Sequence, residues 1–386
     1  MVGGGPAGLF AAETASARGA RVSLFETHPA PGRKFLVAGY GGLNLTHGEE
    51  LAPFLSRYRG PELPAWFPEL IRAFPPTALR DWAAGLGTET FQQRTGRVYP
   101  RAMKAAPLLR SWLARLRAQG VTFFPRHRLR EISPGPELHF ENQPSQGPFD
   151  ALILALGGAS WPRTGSDGTW TRLLPNLRLS PFQSANCGWE FPWPAELIPH
   201  IEGRPLKNIR ARAGQTVADG ELMLTRYGLE GGLIYQLGPA LRAQSSPVLE
   251  IDLKPAQSPA VLLRKMESVR RDFLSAAATR WKLPPHTREL LDRLHGPFSS
   301  AESLLAQVKK LRLPLTRPRP LAEAISSAGG VAWTELDHSL MLKKHPGIFL
   351  AGEMIDWEAP TGGYLLQACF ATGRHAARAA CEFTRP

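Results

Sequence analysis

The chain has 386 residues, of which 43% are hydrophobic and 20% are charged, and its formal net charge is +13 at pH 7. This length predicts two or three structural units. The ordinary composition excludes a disordered chain, and the absence of any run of about 20 apolar residues excludes a membrane-spanning helix. The sequence opens directly on a glycine-rich turn, without the basic and apolar segments of a secretory signal, so we expect a cytoplasmic protein.

The three cysteines and ten histidines do not predict a metal site. Cys187, Cys369 and Cys381 lack CxxC spacing, and no histidine pair has a ligand spacing such as H-x-x-x-H. The positive charge would suit an anionic partner, but the basic clusters at 207–212 and 309–319 are not interleaved with aromatic residues. We therefore expect no nucleic-acid partner and keep RNA binding as an alternative.

Helices and strands alternate through the first part of the chain. Residues 3–18 indicate a glycine turn leading into a helix of small residues, and residues 21–26 (RVSLFE) indicate a short buried strand. Residues 150–156 (DALILAL) are typical of a strand buried on both faces of a parallel sheet. Apolar spacing predicts further helices at 63–74, 78–86 and 108–116 and a strand at 121–124.

The composition changes near residue 181. Alternating runs at 221–225 and 248–253 predict antiparallel strands, which are followed by a helix from Ser258 to about residue 281. Ser299 and Glu302 form a predicted capping box that opens a helix to residue 311. The αβ pattern returns with a strand at 347–351 and a helix at 365–383. We therefore predict a discontinuous domain of residues 1–180 and 321–386, with an inserted domain at 181–320 that is antiparallel over 181–255 and helical over 256–320.

A G-x-G-x-x-G motif stands at the start of the chain. Its glycines are Gly3, Gly5 and Gly8, with Pro6 and Ala7 between the last two. Such a turn lets a pyrophosphate approach the backbone at a helix N-terminus. By itself the motif could be an accidental match among 37 glycines, but Glu26 ends the next strand 18 residues after Gly8. An acid at that position accepts hydrogen bonds from an adenosine ribose, so the pair predicts a dinucleotide site.

Several longer segments carry a resemblance to a known family. The chain resembles the HI0933-like (YhiN-like) flavoproteins, NAD(P)/FAD-dependent oxidoreductases with aminoacetone-oxidase-like members, over nearly its whole length. The resemblance implies an α/β fold and FAD as the cofactor: a glutathione-reductase-like FAD-binding Rossmann domain, discontinuous, with an inserted β-barrel-like and helical domain. The matching segments are 31–47 (PGRKFLVAGYGGLNLTH), 96–105 (GRVYPRAMKA), 155–168 (ALGGASWPRTGSDG), 186–188 (NCG) and 352–373 (GEMIDWEAPTGGYLLQACFATG).

The resemblance also implies which residues contact the cofactor. Arg33 and Lys34 would lie near the FAD phosphates, and Asp356 would hold the ribityl chain. Backbone N–H groups at a helix start would face the flavin pyrimidine and stabilise its reduced form. The other implied contacts are Gly41 and Asn44 near the flavin, Ala155, Gly157 and Gly352 as further cofactor-binding residues, and Gly362, Gly363 and Tyr364 at that helix start.

Some residues depart from the family pattern or have only a structural interpretation. Leu43 stands where relatives commonly have a cysteine, which excludes a thiol mechanism there, and Leu365 and Ala368 replace residues that are often asparagine and tryptophan. The glycines of 228–232 (GLEGG) predict a turn of the inserted barrel. Tyr99, Arg101, Trp161 and Arg163 either line the substrate side of the flavin or form a polar loop.

The sequence favours an FAD-dependent oxidoreductase that transfers hydride between the flavin and a small organic substrate at the domain interface. The family implies enone reduction or amine oxidation, and the residues do not choose between them or identify catalytic residues. No nicotinamide-binding domain is visible, so NAD(P)H would be a transient donor. The alternative is an FAD- and RNA-binding protein that acts in RNA modification or ribosome-related binding.

The start of the chain carries one further expectation. A central parallel strand should precede the glycine turn, but only Met1 and Val2 precede Gly3. Strands of this kind usually have four to six residues. We therefore expect a natural start upstream of Met1, with marginal folding or weak FAD binding in the 386-residue form.

Overall fold

A computed structural model describes residues 1–384 of the chain as two compact units. The first unit comprises residues 1–183 together with the chain from Ser326 onwards, and the second comprises Ser184–Ile325. Each unit has its own cluster of buried hydrophobic side chains. The first unit contains the dinucleotide motif.

The first unit begins with an alternation of helices and strands. Its helices in this segment are α1 (Pro6–Ser16), α2 (Arg33–Ala38), α3 (Leu51–Leu55), α4 (Phe67–Ala73), α5 (Pro76–Ala84) and α6 (Ala105–Ala118). Its strands are β1 (Ser23–Glu26), β2 (Thr46–His47), β3 (Thr90–Gln92), β4 (Arg97–Pro100), β5 (Thr122–Pro125), β6 (Leu129–Ser133), β7 (Glu137–Phe140), β8 (Gln143–Gln146), β9 (Leu152–Leu154) and β10 (Leu179–Ala185).

Parallel strands form the centre of the first unit. β1 pairs with β5, and Val2 forms parallel bridges to Phe25 of β1 and Leu154 of β9. The Val2 amide donates to the Ile153 carbonyl at 2.9 Å, and the Ala155 amide donates to the Val2 carbonyl at 2.8 Å. The residues before the glycine turn therefore occupy the central position between β1 and β9. β6, β7 and β8 form a separate antiparallel sheet.

The second unit is built on a six-stranded antiparallel sheet with strand order β11-β14-β13-β12-β15-β16. Its strands are β11 (Trp189–Glu190), β12 (Arg204–Ala213), β13 (Thr216–Thr225), β14 (Gly228–Glu230), β15 (Val248–Asp252) and β16 (Leu311–Pro314). Its helices are α7 (Ile198–Ile201), α8 (Gly232–Arg242), α9 (Pro259–Arg264), α10 (Phe273–Arg280), α11 (Pro285–His295) and α12 (Ala301–Lys309).

The structure corrects three predictions in the second unit. The helix predicted from Ser258 to residue 281 is divided into α9 and α10, and Asp272, directly before α10, has a positive φ of 52° that a continuous α-helix does not contain. The break instead lets the buried Trp281 indole N–H donate to the Leu262 carbonyl at 3.0 Å. The capping box is formed by Ser300 and Ser303, one residue later than predicted. Of the glycines of 228–232, only Gly228 lies at a turn between strands, where it pairs with Thr225 and opens β14, whereas Gly231 and Gly232 lead into α8.

The chain then returns to the first unit. The last elements are β17 (Ser326–Val331), β18 (Ile348–Leu350) and α13 (Tyr364–Phe383). β18 pairs in parallel with β9 and extends the central sheet. α13 packs along α1, and a Cβ atom added at Gly373 of α13 would lie 2.3 Å from the Ala7 carbonyl oxygen. Within residues 1–384, none of the helices has the length and apolarity that crossing a membrane requires.

Candidate functional site

The three motif glycines have different steric surroundings. A Cβ atom at Gly3 would lie 2.2 Å from the Ala155 carbonyl oxygen, and one at Gly8 would lie 1.9 Å from the Gly3 carbonyl oxygen. Both positions therefore require glycine for close approach of the turn, β9 and α1. Gly5 is the N-cap of α1, and a Cβ atom there would meet nothing within 4 Å. The open side of Gly5 leaves room for a group at the positive end of the α1 dipole.

Glu26 fixes the glycine turn from the end of β1. Its Oε2 accepts the Gly4 N–H at 2.8 Å, and its Oε1 accepts the His28 N–H at 2.8 Å. The Gly32 N–H also donates to the Gly4 carbonyl at 2.8 Å. The carboxylate therefore lies beside the turn, at the end of the strand where the sequence predicted a ribose-binding acid.

A cleft of about 460 Å³ opens at this turn. Ten of the residues predicted from the sequence line it: Gly3, Gly5, Pro6, Ala7, Glu26, Arg33, Lys34, Ala155, Gly157 and Gly352. They come from the start of α1, the end of β1, the start of α2 and the segments after β9 and β18. Because these are the carboxyl ends of parallel strands, the topology brings residues that are distant in sequence into one cleft.

One part of the cleft contains an ion pair and a thiol. Lys34 Nζ donates to Glu353 Oε2 at 2.8 Å and to Ser160 Oγ at 2.9 Å. Burial raises the pKa of the Cys369 thiol, and the nearby Glu353 carboxylate shifts it in the same direction. Cys369 is therefore a neutral thiol at pH 7 and not a nucleophile.

The other part of the cleft is lined by residues 164–167, Thr169 and Arg128. Arg128 Nη2 donates to Asp167 Oδ2 at 3.0 Å and to Thr169 Oγ1 at 3.1 Å. Burial alone would raise the pKa of Asp167, but hydrogen bonds from Thr169 and Arg128 outweigh it and hold that pKa below its usual value. The Asp167 carboxylate is therefore ionised at neutral pH and keeps this loop in place.

The predicted residues near the flavin form a second group that does not line the cleft. The Asn44 side chain accepts the Gly363 N–H at 3.3 Å and donates to the Thr46 carbonyl at 3.0 Å. The Gly363 N–H, which was predicted to face the flavin, therefore donates to a side chain of the same protein. Gly362 precedes Gly363 directly, and Gly41 lies on the exposed loop after α2.

Tyr364 opens α13 and belongs to a charged network. Its hydroxyl donates to Glu49 Oε1, and Arg57 Nη2 donates to Glu49 Oε2 at 2.7 Å. Burial and the hydrogen bond to Glu49 raise the pKa of Tyr364 above its usual value, so the phenol stays protonated. Asp356, predicted to hold the ribityl chain, is buried, and its backbone N–H donates to the Val331 carbonyl at 3.0 Å.

The cleft residues fit a dinucleotide. The open side of Gly5 at the N-terminus of α1 suits a pyrophosphate, and Glu26 suits a ribose. Ser166 belongs to the cleft lining, and its buried Oγ has no hydrogen-bond partner among the described residues, so the fold leaves one polar side-chain atom at the cleft to be satisfied by a bound group. The cleft volume lies within the usual range for cofactor sites.

Several residues that line the cleft are not among those predicted from the sequence. Ser166 and Asp167 lie within the segment 155–168 that carried the family resemblance, and Glu353 directly follows the predicted Gly352. Their proximity in sequence to predicted cofactor-binding residues could therefore have identified them. Arg128 had no such signal, because only the folded chain brings it beside Asp167 and Thr169.

Comparisons with known proteins agree with this geometry. The model of the family described as HI0933-like protein Rossmann domain matches residues 1–379. The 3-dehydro-bile acid delta(4,6)-reductase of Clostridium scindens is 29% identical over 99% of this chain and 98% of its own length. The ribosomal RNA dihydrouridine synthase of Escherichia coli is 23% identical over 95% of this chain and 94% of its own length.

Two solved structures share the fold. The 3-ketosteroid-delta4-(5alpha)-dehydrogenase of Rhodococcus jostii, solved with 4-androstene-3,17-dione, has a TM-score of 0.52 and 15% identity, covering 100% of this chain and 96% of that one. The Sdh1 complex of Mycobacterium smegmatis has a TM-score of 0.51 and 16% identity, covering 100% of this chain and 68% of that one. At these identities the likeness concerns the fold alone.

The family match and the relatives confirm three predictions from the sequence: the α/β Rossmann fold, FAD as the cofactor and an oxidoreductase activity. A match across residues 1–379 is nearly the whole chain, and it includes every segment of the dinucleotide cleft. This protein therefore belongs to the HI0933-like family of FAD-binding Rossmann flavoproteins.

Proposed function

We propose that this protein reduces a carbon–carbon double bond conjugated to a carbonyl group in a small organic substrate. The observation that carries the proposal is the chemistry shared by two relatives that align over nearly their whole length. One is named as a reductase of double bonds in a 3-dehydro bile acid, and the other as a synthase of dihydrouridine. Both names describe saturation of a ring double bond in a compound that carries a carbonyl group.

The cleft residues support this proposal by holding the cofactor. The turn of Gly3, Gly5, Pro6, Ala7 and Gly8 would receive the FAD pyrophosphate, and Glu26 the adenosine ribose. When bound, FAD supplies a hydride to the substrate. The segments that would continue the site toward the flavin contain Arg33, Lys34, Gly41, Asn44, Ala155, Gly157, Gly352, Asp356, Gly362, Gly363 and Tyr364.

The reaction adds a hydride, which carries two electrons and one proton, and one further proton to the double bond. Tyr364 keeps its proton, because burial and Glu49 raise its pKa, and Glu49 stays ionised beside Arg57. This network holds the start of α13 in a fixed position and does not itself supply a proton at neutral pH. The proton therefore comes from solvent, and a reduced nicotinamide that docks transiently provides the electrons. A cytoplasmic location, where such donors are present, is part of the proposal.

The test uses the holoprotein, photoreduced under anaerobic conditions and mixed with single acceptors. A 3-keto-4-ene steroid and a small cyclic enone should reoxidise the flavin, and each product should gain two hydrogens by mass spectrometry. The matched control is the saturated ketone of each substrate, which should leave the flavin reduced. The proposal would be overturned if the reduced flavin were reoxidised only by amine-derived products, quinones or oxygen, and if the enones gave no saturated ketone.

The second candidate is the same chemistry on uridine in ribosomal RNA. It is favoured by the dihydrouridine synthase among the relatives and by the net charge of +13. The second unit weakens it, because acids of β15 separate the basic side chains of β12 and β16. Arg212 lies opposite Glu250, which lies opposite Arg312, and Arg210 forms a 2.7 Å ion pair with Asp219. These three arginines of the sheet therefore each lie beside an acidic side chain.

An RNA-binding experiment separates the two candidates. The holoprotein is incubated with transcribed ribosomal RNA at low and at high salt, and dihydrouridine is measured after addition of a reduced nicotinamide. We expect no salt-dependent retention and no dihydrouridine. Retention at low salt together with dihydrouridine formation would replace the small-molecule proposal with the RNA candidate.

A further inference from the structure

Among the described residues that line the cleft, Ser166 has a buried side-chain oxygen without a hydrogen-bond partner. Ser166 is only 6% exposed and lines the cleft, and its Oγ atom has no hydrogen-bond partner among the described residues. A Cβ atom at Gly157, another lining residue, would lie 3.1 Å from this oxygen. Burying an unpaired hydroxyl costs about 1–3 kcal/mol in proteins, so a bound group that pairs with it gains affinity.

Ser166 is held in place by the loop around it. Asp167 Oδ1 accepts the Thr169 N–H at 3.0 Å and the Thr169 hydroxyl at 2.7 Å. Arg128 donates to Asp167 and to Thr169, and its Nε lies 3.5 Å from Glu141 Oε1. The loop 164–169 is therefore tied to the sheet of β6, β7 and β8. This fixed position gives Ser166 Oγ a defined direction before any ligand binds.

The same loop lies at the Glu26 end of the cleft. A Cβ atom at Gly165 would lie 3.0 Å from His28 Cδ2, and the His28 N–H donates to Glu26 Oε1 at 2.8 Å. Because an acid at the end of this strand marks the ribose position in dinucleotide sites, Ser166 lies on the adenosine side. The Lys34–Glu353 ion pair occupies another part of the cleft.

We propose that Ser166 hydrogen-bonds the adenosine half of FAD, and that the loop fixed by Arg128 and Asp167 selects FAD over FMN. The inference rests on FAD being the cofactor and is independent of the proposed reductase activity. It assigns a binding role to residues on the 164–169 loop, whereas the sequence placed the ribose contact on Glu26 alone. An FMN molecule, which lacks the adenosine half, would gain nothing from this loop.

The test measures binding of three probes to protein from which flavin has been removed. FAD, ADP and FMN are titrated against wild type, Ser166→Ala and the matched control Thr171→Val. Thr171 follows the loop, and its hydroxyl donates to the Gly168 carbonyl at 3.0 Å, but it does not line the cleft. We expect Ser166→Ala to weaken FAD and ADP by the same factor, about 5- to 100-fold, and to leave FMN within about twofold of wild type.

Each other outcome counts against the inference. Unchanged affinity of Ser166→Ala for FAD and ADP, or an equal loss for FMN, would show that Ser166 does not contact the adenosine half. An equal loss in Thr171→Val would show that loop stability is responsible. Melting temperatures of the flavin-free proteins show whether Ser166→Ala folds. If it does not, Ser166→Thr and Ser166→Val are compared instead. Ser166→Thr, which keeps a hydroxyl, should bind ADP more tightly than Ser166→Val, which does not. No reductase assay enters these measurements, so a failed reductase proposal leaves the result readable.

Discussion

Glu26 acts on the glycine turn as well as on the expected ribose. Its two oxygens accept the N–H groups of Gly4 and His28, both at 2.8 Å. Glu26→Leu should therefore weaken FAD binding by about 1–3 kcal/mol and also lower the melting temperature of the flavin-free protein. The measurements are an FAD titration and thermal unfolding, with Glu131→Gln, an exposed residue of β6, as the control. Unchanged FAD affinity would mean that Glu26 does not reach the cofactor.

At the scale of residues, the sequence predicts what local geometry requires and misses what tertiary contacts create. The requirement for glycine at positions 3 and 8 follows from a turn of six residues, which the motif contains completely. The burial of Glu13 on α1 has no such signal. Its carboxylate is paired by the indole N–H groups of Trp82 and Trp112 and by Arg115, and these partners come from α5 and α6.

Two substitutions at the junction between the glycine turn and α1 should distinguish an effect on folding from an effect on FAD binding. Gly8→Ala places a Cβ atom 1.9 Å from the Gly3 carbonyl oxygen, so it should lower the melting temperature and abolish FAD binding together. Gly5→Ala meets no protein atom within 4 Å and has φ near −80°, which alanine adopts readily. It should keep the flavin-free melting temperature and lose FAD affinity, because its methyl group occupies the open side of the turn.

The readouts are thermal unfolding without flavin and an FAD titration for both variants. A Gly5→Ala protein that binds FAD like wild type would place the pyrophosphate away from this turn. If the melting temperature of Gly5→Ala is instead as low as that of Gly8→Ala, glycine at position 5 is needed for folding. The prediction that Gly5→Ala affects only FAD binding would then be wrong.

The secondary structure was predictable where burial and periodicity agree. The strands at β1, β5, β9 and β18 and the helix α13 lie within the predicted segments or within one residue of them. The division between α9 and α10 was not predictable from apolar spacing. Leu262, Met266 and Trp281 are all buried in one cluster and would share one face of a continuous helix, whereas the helix is interrupted before Asp272, which has a positive φ of 52°.

At the scale of the whole molecule, the sequence predicts no nicotinamide-binding domain. The absence of such a predicted domain leads to an expectation about the rate at which NADPH reduces the flavin. We expect NADPH to reduce the flavin slowly, because the nicotinamide docks only transiently. For the same reason, the reduction rate should not saturate at low NADPH concentrations. Stopped-flow absorbance of the oxidised flavin measures this rate under anaerobic conditions. Fast stoichiometric reduction with tight NADPH binding would require a nicotinamide site that the sequence did not predict.

The two units have separate hydrophobic cores, and this predicts how FAD changes thermal unfolding. One cluster consists of residues from the first unit and the other of residues between 189 and 315, while every residue that lines the cleft belongs to the first unit. FAD at 100 times its Kd stabilises the unit that binds it by about 2.7 kcal/mol. For a unit of this size that corresponds to a rise in Tm of about 5–10 °C.

Calorimetry of the flavin-free protein, with and without added FAD, should therefore resolve two transitions, of which only one moves. Gly5→Ala is the control, since FAD should leave both of its transitions in place. Only Trp189, Trp193 and Trp281 of the ten tryptophans lie in the second unit, so tryptophan fluorescence should follow mainly the transition that FAD shifts. A single transition that moves entirely with FAD would show that the two cores unfold as one cooperative structure, and cofactor binding would then stabilise the whole chain.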